Sequence, residues 1–177
     1  MIVLVIGGAG SGKSAIAENI AVKISQKGKL YYIATMKNCD SETDLRIKKH
    51  IEQRSGKGFT TIEKPFNICD LKAENSTLLI ECMGNLLANE MFGQSVKNCS
   101  EKITSDIFKL DEKGNNIIIV SNDIEPERNQ DIYTLNYIRE LAQINRNLAE
   151  TAAIVIESVC GIPVFLKGEK LYNEICI

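Results

Sequence analysis

Near the start of the chain, Gly7-Gly8-Ala9-Gly10-Ser11-Gly12-Lys13-Ser14 follows directly on the apolar run Ile2 to Ile6. The pattern G-x-x-x-x-G-K-[ST] between a strand and a helix is a phosphate-binding loop. Its glycines let successive backbone N–H groups converge on phosphate oxygens, Lys13 supplies a point positive charge, and the Ser14 hydroxyl suits a magnesium ion. The helix that follows aims its positive end at the same oxygens. Such a loop also constrains the fold, because it needs a strand that ends at the carboxyl edge of a parallel sheet. A glycine-rich turn without function is the alternative, and the flanking strand and helix patterns weigh against it.

With 177 residues, 44% of them hydrophobic, the chain is expected to form one domain, residues 1–177, around one core. A formal net charge of -2 provides no basic field for nucleic acid, so small anions held locally are the expected partners. The six cysteines, Cys39, Cys69, Cys82, Cys99, Cys160 and Cys176, form no C-x-x-C pair and have no histidine at ligand spacing. Scattered thiols without a signal peptide suggest a cytoplasmic protein. The apolar start is too short to span a membrane.

Short apolar runs at 2–6, 30–34, 77–82, 116–121, 153–158 and 162–166 read as strands, and their lack of alternation predicts burial on both faces. Helical spacing fills about 14–28, 41–54, 84–92, 98–113 and 131–151. Alternating strands and helices imply a mostly parallel sheet with helices on both faces. The last two strands, separated only by Val159-Cys160-Gly161, are expected as an antiparallel edge hairpin. The tail from Lys167 carries no clear signal.

His50 is the only histidine. Helical spacing puts Arg46, His50 and Arg54 on one stripe, with Lys49 and Gln53 beside it. Cations at this spacing repel unless an anion lies against them, and they oppose protonation of the imidazole. A neutral imidazole beside a triphosphate can attack phosphorus and form a covalent nucleotidyl intermediate. A solvated basic helix face fits the same pattern.

Carboxylates at strand ends form a second set. Glu81 closes Leu78-Leu79-Ile80 and Asp123 follows Ser121-Asn122, positions from which phosphate-loop enzymes bind magnesium directly or through water. Asp123 equally suits a helix cap. Glu63 leaves a short strand and is either an acceptor for a base or ribose or an ordinary surface acid. Thr35-Met36-Lys37 follows the second strand, and either borders the nucleotide or merely connects elements. No N-K-x-D guanine-reading motif and no protein-kinase H-R-D or D-F-G set is present.

Taken together, these residues resemble the bifunctional adenosylcobinamide kinase / adenosylcobinamide-phosphate guanylyltransferase family of cobalamin biosynthesis. The likeness runs to about Lys167. It rests on G-G-x-x-S-G-K-S at Gly7 to Ser14, Y-I-A-T at Tyr32 to Thr35, R-I-x-x-H with a later arginine at Arg46, Ile47, His50 and Arg54, and T-x-E-x-P at Thr61, Glu63 and Pro65. Glu81-Cys82 with Asn85 to Leu87, Ser121 to Asp123, Asn145 to Ala149 and Gly161 to Val164 continue it.

The resemblance implies a three-layer, P-loop NTPase-like α/β fold, a trimeric assembly and two reactions at one site. A nucleoside triphosphate, ATP or GTP, phosphorylates the corrinoid adenosylcobinamide. Separately, GTP guanylylates the enzyme at the position of His50, and GMP then passes to the new phosphate, giving adenosylcobinamide-GDP with release of pyrophosphate. By the same resemblance Gly7 to Ser14 hold phosphates, while Thr35, Met36, Lys37, Ile51, Glu52, Gln53, Arg54, Glu63 and Glu81 line the nucleotide, and Arg46 or Arg54 holds phosphate oxygens. The expected cofactor is Mg²⁺, held by Ser14 and Glu81, with Asp123 a further candidate, and Lys13 helps pyrophosphate depart. The chain departs from the family pattern in three places. Ile51 stands where a basic residue is usual, Ser55 replaces proline with Gly56-Lys57-Gly58 inserted before Phe59, and the loop Asp123 to Pro126 is about four residues shorter. A generic phosphate-loop kinase without a covalent intermediate and a nucleotide-dependent binding module are the competing readings.

Overall fold

In the computed structural model, which describes residues 1–26, 28–37 and 54–176, the apolar runs pair into one seven-stranded sheet. Its strands are β1 (Ile2–Gly7), β2 (Leu30–Ala34), β3 (Thr60–Glu63), β4 (Thr77–Glu81), β5 (Asn116–Asn122), β6 (Ile154–Val159) and β7 (Ile162–Lys167). They lie in the order β3-β2-β4-β5-β1-β6-β7. Neighbouring strands are parallel except for the antiparallel hairpin β6-β7. The helices are α1 (Lys13–Ser25), α2 (Met83–Ala88), α3 (Cys99–Glu112), α4 (Ile132–Thr151) and α5 (Glu169–Cys176), and a π-helical turn at Asn89–Gly93 continues α2. Of the helix expected over 41–54, only Arg54 falls within the described residues.

The period of two along each strand divides the apolar residues between two cores. Leu4, Ile80, Ile117 and Ile119 face Ile103 and Ile107 of α3 and Leu141, Ile144 and Leu148 of α4. On the other face, Val3, Val5, Leu79, Ile118 and Ile156 meet Ala17, Ile20, Ala21 and Ile24 of α1. Helices on both faces make the central strands apolar throughout, which is the three-layer α/β arrangement expected. α4 starts at Asp131, whose carboxylate accepts the N–H groups of Tyr133 and Thr134.

One expectation needs correction. Burial on both faces fails for β7, where Ile162, Val164 and Leu166 are exposed, because α5 covers only the opposite face of this edge strand. There Phe165 meets Tyr172 of α5 with ring centroids 4.8 Å apart. The tail beyond Lys167, which carries no clear sequence signal, folds as α5, whose Leu171, Tyr172 and Ile175 pack against the α1-side core.

Register does the rest of the positioning. Glu63 pairs with Ala34, Ala34 with Glu81, and Glu81 with Val120, so one row crosses four strands near their carboxyl ends. β1 ends beside it, with Gly7 opposite Asn122. The phosphate loop and two carboxylates therefore leave the same edge of the sheet.

At the opposite edge, fully buried Asn115 accepts from the Ser76 N–H and donates to the carbonyls of Ala73 and Leu110. Replacing it by alanine strands three buried backbone groups. Asn115→Ala is expected to cost about 3 kcal/mol, read as a lower urea midpoint at unchanged slope.

Candidate active site

The phosphate loop is shaped by contacts on both sides. Gly12 sits at φ 89°, and a Cβ there would lie 3.0 Å from the Cα of Gly161. Only glycine meets both demands. The Ser11 carbonyl points away from the loop's interior and accepts from the Gly161 N–H at 2.8 Å and the Ser158 hydroxyl at 2.6 Å. Turning this carbonyl outward leaves the neighbouring N–H groups free to face a ligand. No side chain caps α1, so its first N–H groups are available to an anion.

Lys13 is nearly buried and donates to the Gly8 carbonyl at 2.8 Å. Burial pulls its pKa below the ordinary lysine range, while the electrostatic influence of Cys82 and Glu81 partly opposes that shift. The Ser14 hydroxyl donates to Glu81 Oε1. Glu81 Oε2, also buried, has no partner.

Across from the loop, the Arg54 guanidinium lies 3.3 Å above the centre of the Tyr32 ring. Arg54 is only 6% exposed, yet its Nη1 makes no hydrogen bond. Burial raises the pKa of the Tyr32 phenol, and the Glu81 charge adds to that rise. Phe59 meets the edge of the same ring at 6.4 Å.

These walls enclose a cavity of about 440 Å³. Ala9, Gly10, Lys13 and Ser14 form its phosphate side, and Tyr32, Ala34, Met36, Arg54, Thr61 and Glu63 the far side. Glu81, Cys82, Asn85, Val120 and Asn122 make the floor. A buried cation with an unused N–H and a buried carboxylate with an unused oxygen are costly unless a charged ligand completes them. An anion beside Arg54 and Lys13, with a divalent cation at Ser14 and Glu81, fits that pattern.

The structure thus brings Lys13, Ser14, Met36, Arg54, Glu63 and Glu81 to one cavity, with Ala9 and Gly10. Gly7, Gly8, Ser11 and Gly12 shape the loop from behind. Thr35 is buried and donates to the Cys82 carbonyl, so it joins two strand ends rather than lining the cavity. The Lys37 ammonium lies 5.1 Å from the centre of the Phe66 ring and is not among the cavity walls. Asp123 is exposed and also absent from the walls; its backbone N–H donates to the Gly7 carbonyl at 3.1 Å. Arg46, His50, Ile51, Glu52 and Gln53 lie outside the described residues. Sequence alone assigned no role to Tyr32, Asn85, Asn122 or Ser158. Asn122 was accessible to the strand-end rule that selected Asp123, its neighbour. Ser158 has no sequence signal, because its partner is 147 residues away.

A phosphate loop after an interior strand of a mostly parallel sheet, with acidic residues at the ends of two other parallel strands, defines a P-loop enzyme acting on nucleoside triphosphates. The flagellar accessory protein FlaH from Methanocaldococcus jannaschii shares the fold, with a TM-score of 0.54 at 14% identity, covering 94% of this chain and 77% of that one. The chain belongs to the cobinamide kinase / cobinamide phosphate guanyltransferase family, whose model matches residues 3–166. It is similar to the bifunctional adenosylcobalamin biosynthesis protein CobP of Pseudomonas aeruginosa, at 30% identity over 95% of this chain and 98% of that protein. Its similarity to the bifunctional adenosylcobalamin biosynthesis protein CobU of Escherichia coli K12 is 28% identity over 94% of this chain and 100% of that protein.

The lowered pKa of Lys13 sets a pH dependence. A triphosphate binds the protonated lysine, so affinity falls as pH rises through the lowered value. The unfolded lysine holds its proton more tightly, so through the same range the free fold gains stability with pH. Calorimetric titration with a non-hydrolysable triphosphate is expected to weaken below the ordinary lysine range of about 10. Full affinity up to that pH would contradict it.

Proposed function

We propose that this chain carries both activities in its family's name. It transfers the γ-phosphoryl group of a nucleoside triphosphate to the hydroxyl of adenosylcobinamide, and it transfers GMP from GTP to the resulting phosphate through guanylylated His50. The carrying observation is the single cavity in which the phosphate loop faces Arg54, Glu63 and Glu81 while buried polar atoms of Arg54 and Glu81 stay unsatisfied.

In the kinase reaction the substrate hydroxyl attacks the γ-phosphorus and gives up its proton to solvent, the bond from that phosphorus to the β–γ bridging oxygen breaks, and Lys13 and the free N–H groups of the loop bear the charge on the departing nucleoside diphosphate. In the second reaction a neutral His50 nitrogen attacks the α-phosphorus, and the bond from that phosphorus to the α–β bridging oxygen breaks. Pyrophosphate leaves against Lys13. An oxygen of adenosylcobinamide phosphate then attacks the same phosphorus and releases His50, giving adenosylcobinamide-GDP. Arg54 supplies the unused N–H for an equatorial phosphate oxygen. Glu63 offers a carboxylate to the adjacent N–H donors of guanine, a pair that adenine lacks. Ser14 and Glu81 suit Mg²⁺, which when bound neutralises phosphate charge.

No helix among the described residues is long and apolar enough to cross a membrane, and the free thiols of Cys69, Cys82, Cys99 and Cys160 fit a cytoplasmic compartment. A trimer is the proposed assembly by likeness to the family, and the exposed apolar row Ile162, Val164 and Leu166 on the edge strand β7 suits a contact between copies. Sedimentation equilibrium is expected to return three times the chain mass, and a monomer at micromolar concentration would discard this assembly.

Mixing the protein with GTP and Mg²⁺ is expected to add the mass of one GMP, and His50→Ala to abolish the adduct while phosphorylation of adenosylcobinamide continues. An adduct retained by His50→Ala would refute the nucleophile.

A further inference from the structure

One buried charge takes no part in these reactions. Glu18 lies on α1, one helical turn beyond Ser14, and is 3% exposed. A carboxylate so placed is costly without a partner. Its partner is Lys57, whose ammonium lies 2.6 Å from Glu18 Oε2.

Lys57 stands in the turn that carries the chain from Arg54 to β3. Its N–H donates to the Arg54 carbonyl at 3.1 Å, which ties the two residues through the backbone. Gly56 and Gly58 flank it at φ 81° and 80°, and nothing lies within 4 Å of the Cβ position at either. Ser55, Gly56 and Gly58 are exposed. Arg54 and Phe59 anchor the ends of the turn on Tyr32, but its two glycines make no packing contact and give the stretch between the widest backbone freedom available. The Lys57 side chain links it to α1.

Arg54 needs such a link. Its guanidinium rests on the flat face of Tyr32, a contact that fixes height above the ring better than direction across it. We propose that Lys57 and Glu18 are a positioning pair that fixes Arg54 over Tyr32, so that its unused Nη1 meets a phosphate oxygen. The phosphate loop and α1 form one continuous segment, so the pair references the arginine to the helix that carries Lys13 and Ser14. An ion pair with one partner about a third exposed adds little stability. Its value lies in placement, where small displacements of a contact group cost far more than its own energy.

The inference rests on the reading that the cavity binds a nucleoside triphosphate. Calorimetry with α,β-methylene GTP and Mg²⁺ tests it, since this analogue cannot transfer GMP. Lys57→Met is expected to weaken binding about tenfold, and Lys57→Arg to restore it. In an Arg54→Ala background, Lys57→Met is expected to change nothing further, because the group it positions has gone. Lys57→Met with Glu18→Gln removes the orphaned charge and keeps the test valid if the single variant folds poorly; the same tenfold loss is expected. Unchanged affinity in Lys57→Met, or an equal loss with and without Arg54, overturns the proposal. A wild-type protein that does not bind the analogue overturns the nucleotide reading, and this inference with it.

Discussion

A phosphate cradle turns backbone N–H groups toward its ligand, and the carbonyls of the same peptides must then find donors elsewhere. Here the donors for Ser11 come from the far end of the chain, the Ser158 hydroxyl and the Gly161 N–H. β6 lies parallel to β1, so its end arrives beside the loop, and the tight turn into β7 brings Gly161 against Gly12. The hairpin at the sheet edge is therefore part of the phosphate site. The short apolar strands deliver it there, because only their register places residues 11 and 158 in contact.

The second constraint is electrostatic. Lys13, Arg54 and Glu81 are each at most 9% exposed and share one cavity. Burial depresses the lysine, and both the arginine and the carboxylate keep a polar atom unpaired. The free protein holds these groups in place at a cost that an anionic ligand in the cavity would relieve. Groups held ready in this way need no rearrangement when charge moves along the phosphate chain, which is how fixed dipoles and charges lower a barrier.

Much of this was legible in the residues. The phosphate loop names its own ligand and dictates a strand before and a helix after it, and Glu63 and Glu81 follow from the rule that ligands gather at strand ends. The rule does not say which strand-end residue faces inward. Asp123 and Lys37 obey it and lie off the cavity, whereas Tyr32, Asn85 and Asn122 line it. Tyr32 reads as core from its apolar strand, and only the approach of Arg54 makes its ring a wall of the site. The exposed row on β7 has the same composition as a buried strand, and its difference is purely positional, on the face of this edge strand that α5 does not cover.

Local patterns by themselves determined the alternation of strands and helices, the phosphate loop, the edge hairpin and the family, because each is encoded over a few adjacent residues by hydrophobic period, glycine placement or motif. Only the tertiary structure decided that the Glu63-Ala34-Glu81-Val120 row forms a cavity floor and far wall, that Ser158 serves Ser11, and that Lys57 reaches Glu18. Those contacts join residues from 29 to 147 positions apart. Strand order and register set such separations, and a periodicity carries a residue's own face but not the identity of what comes to lie against it.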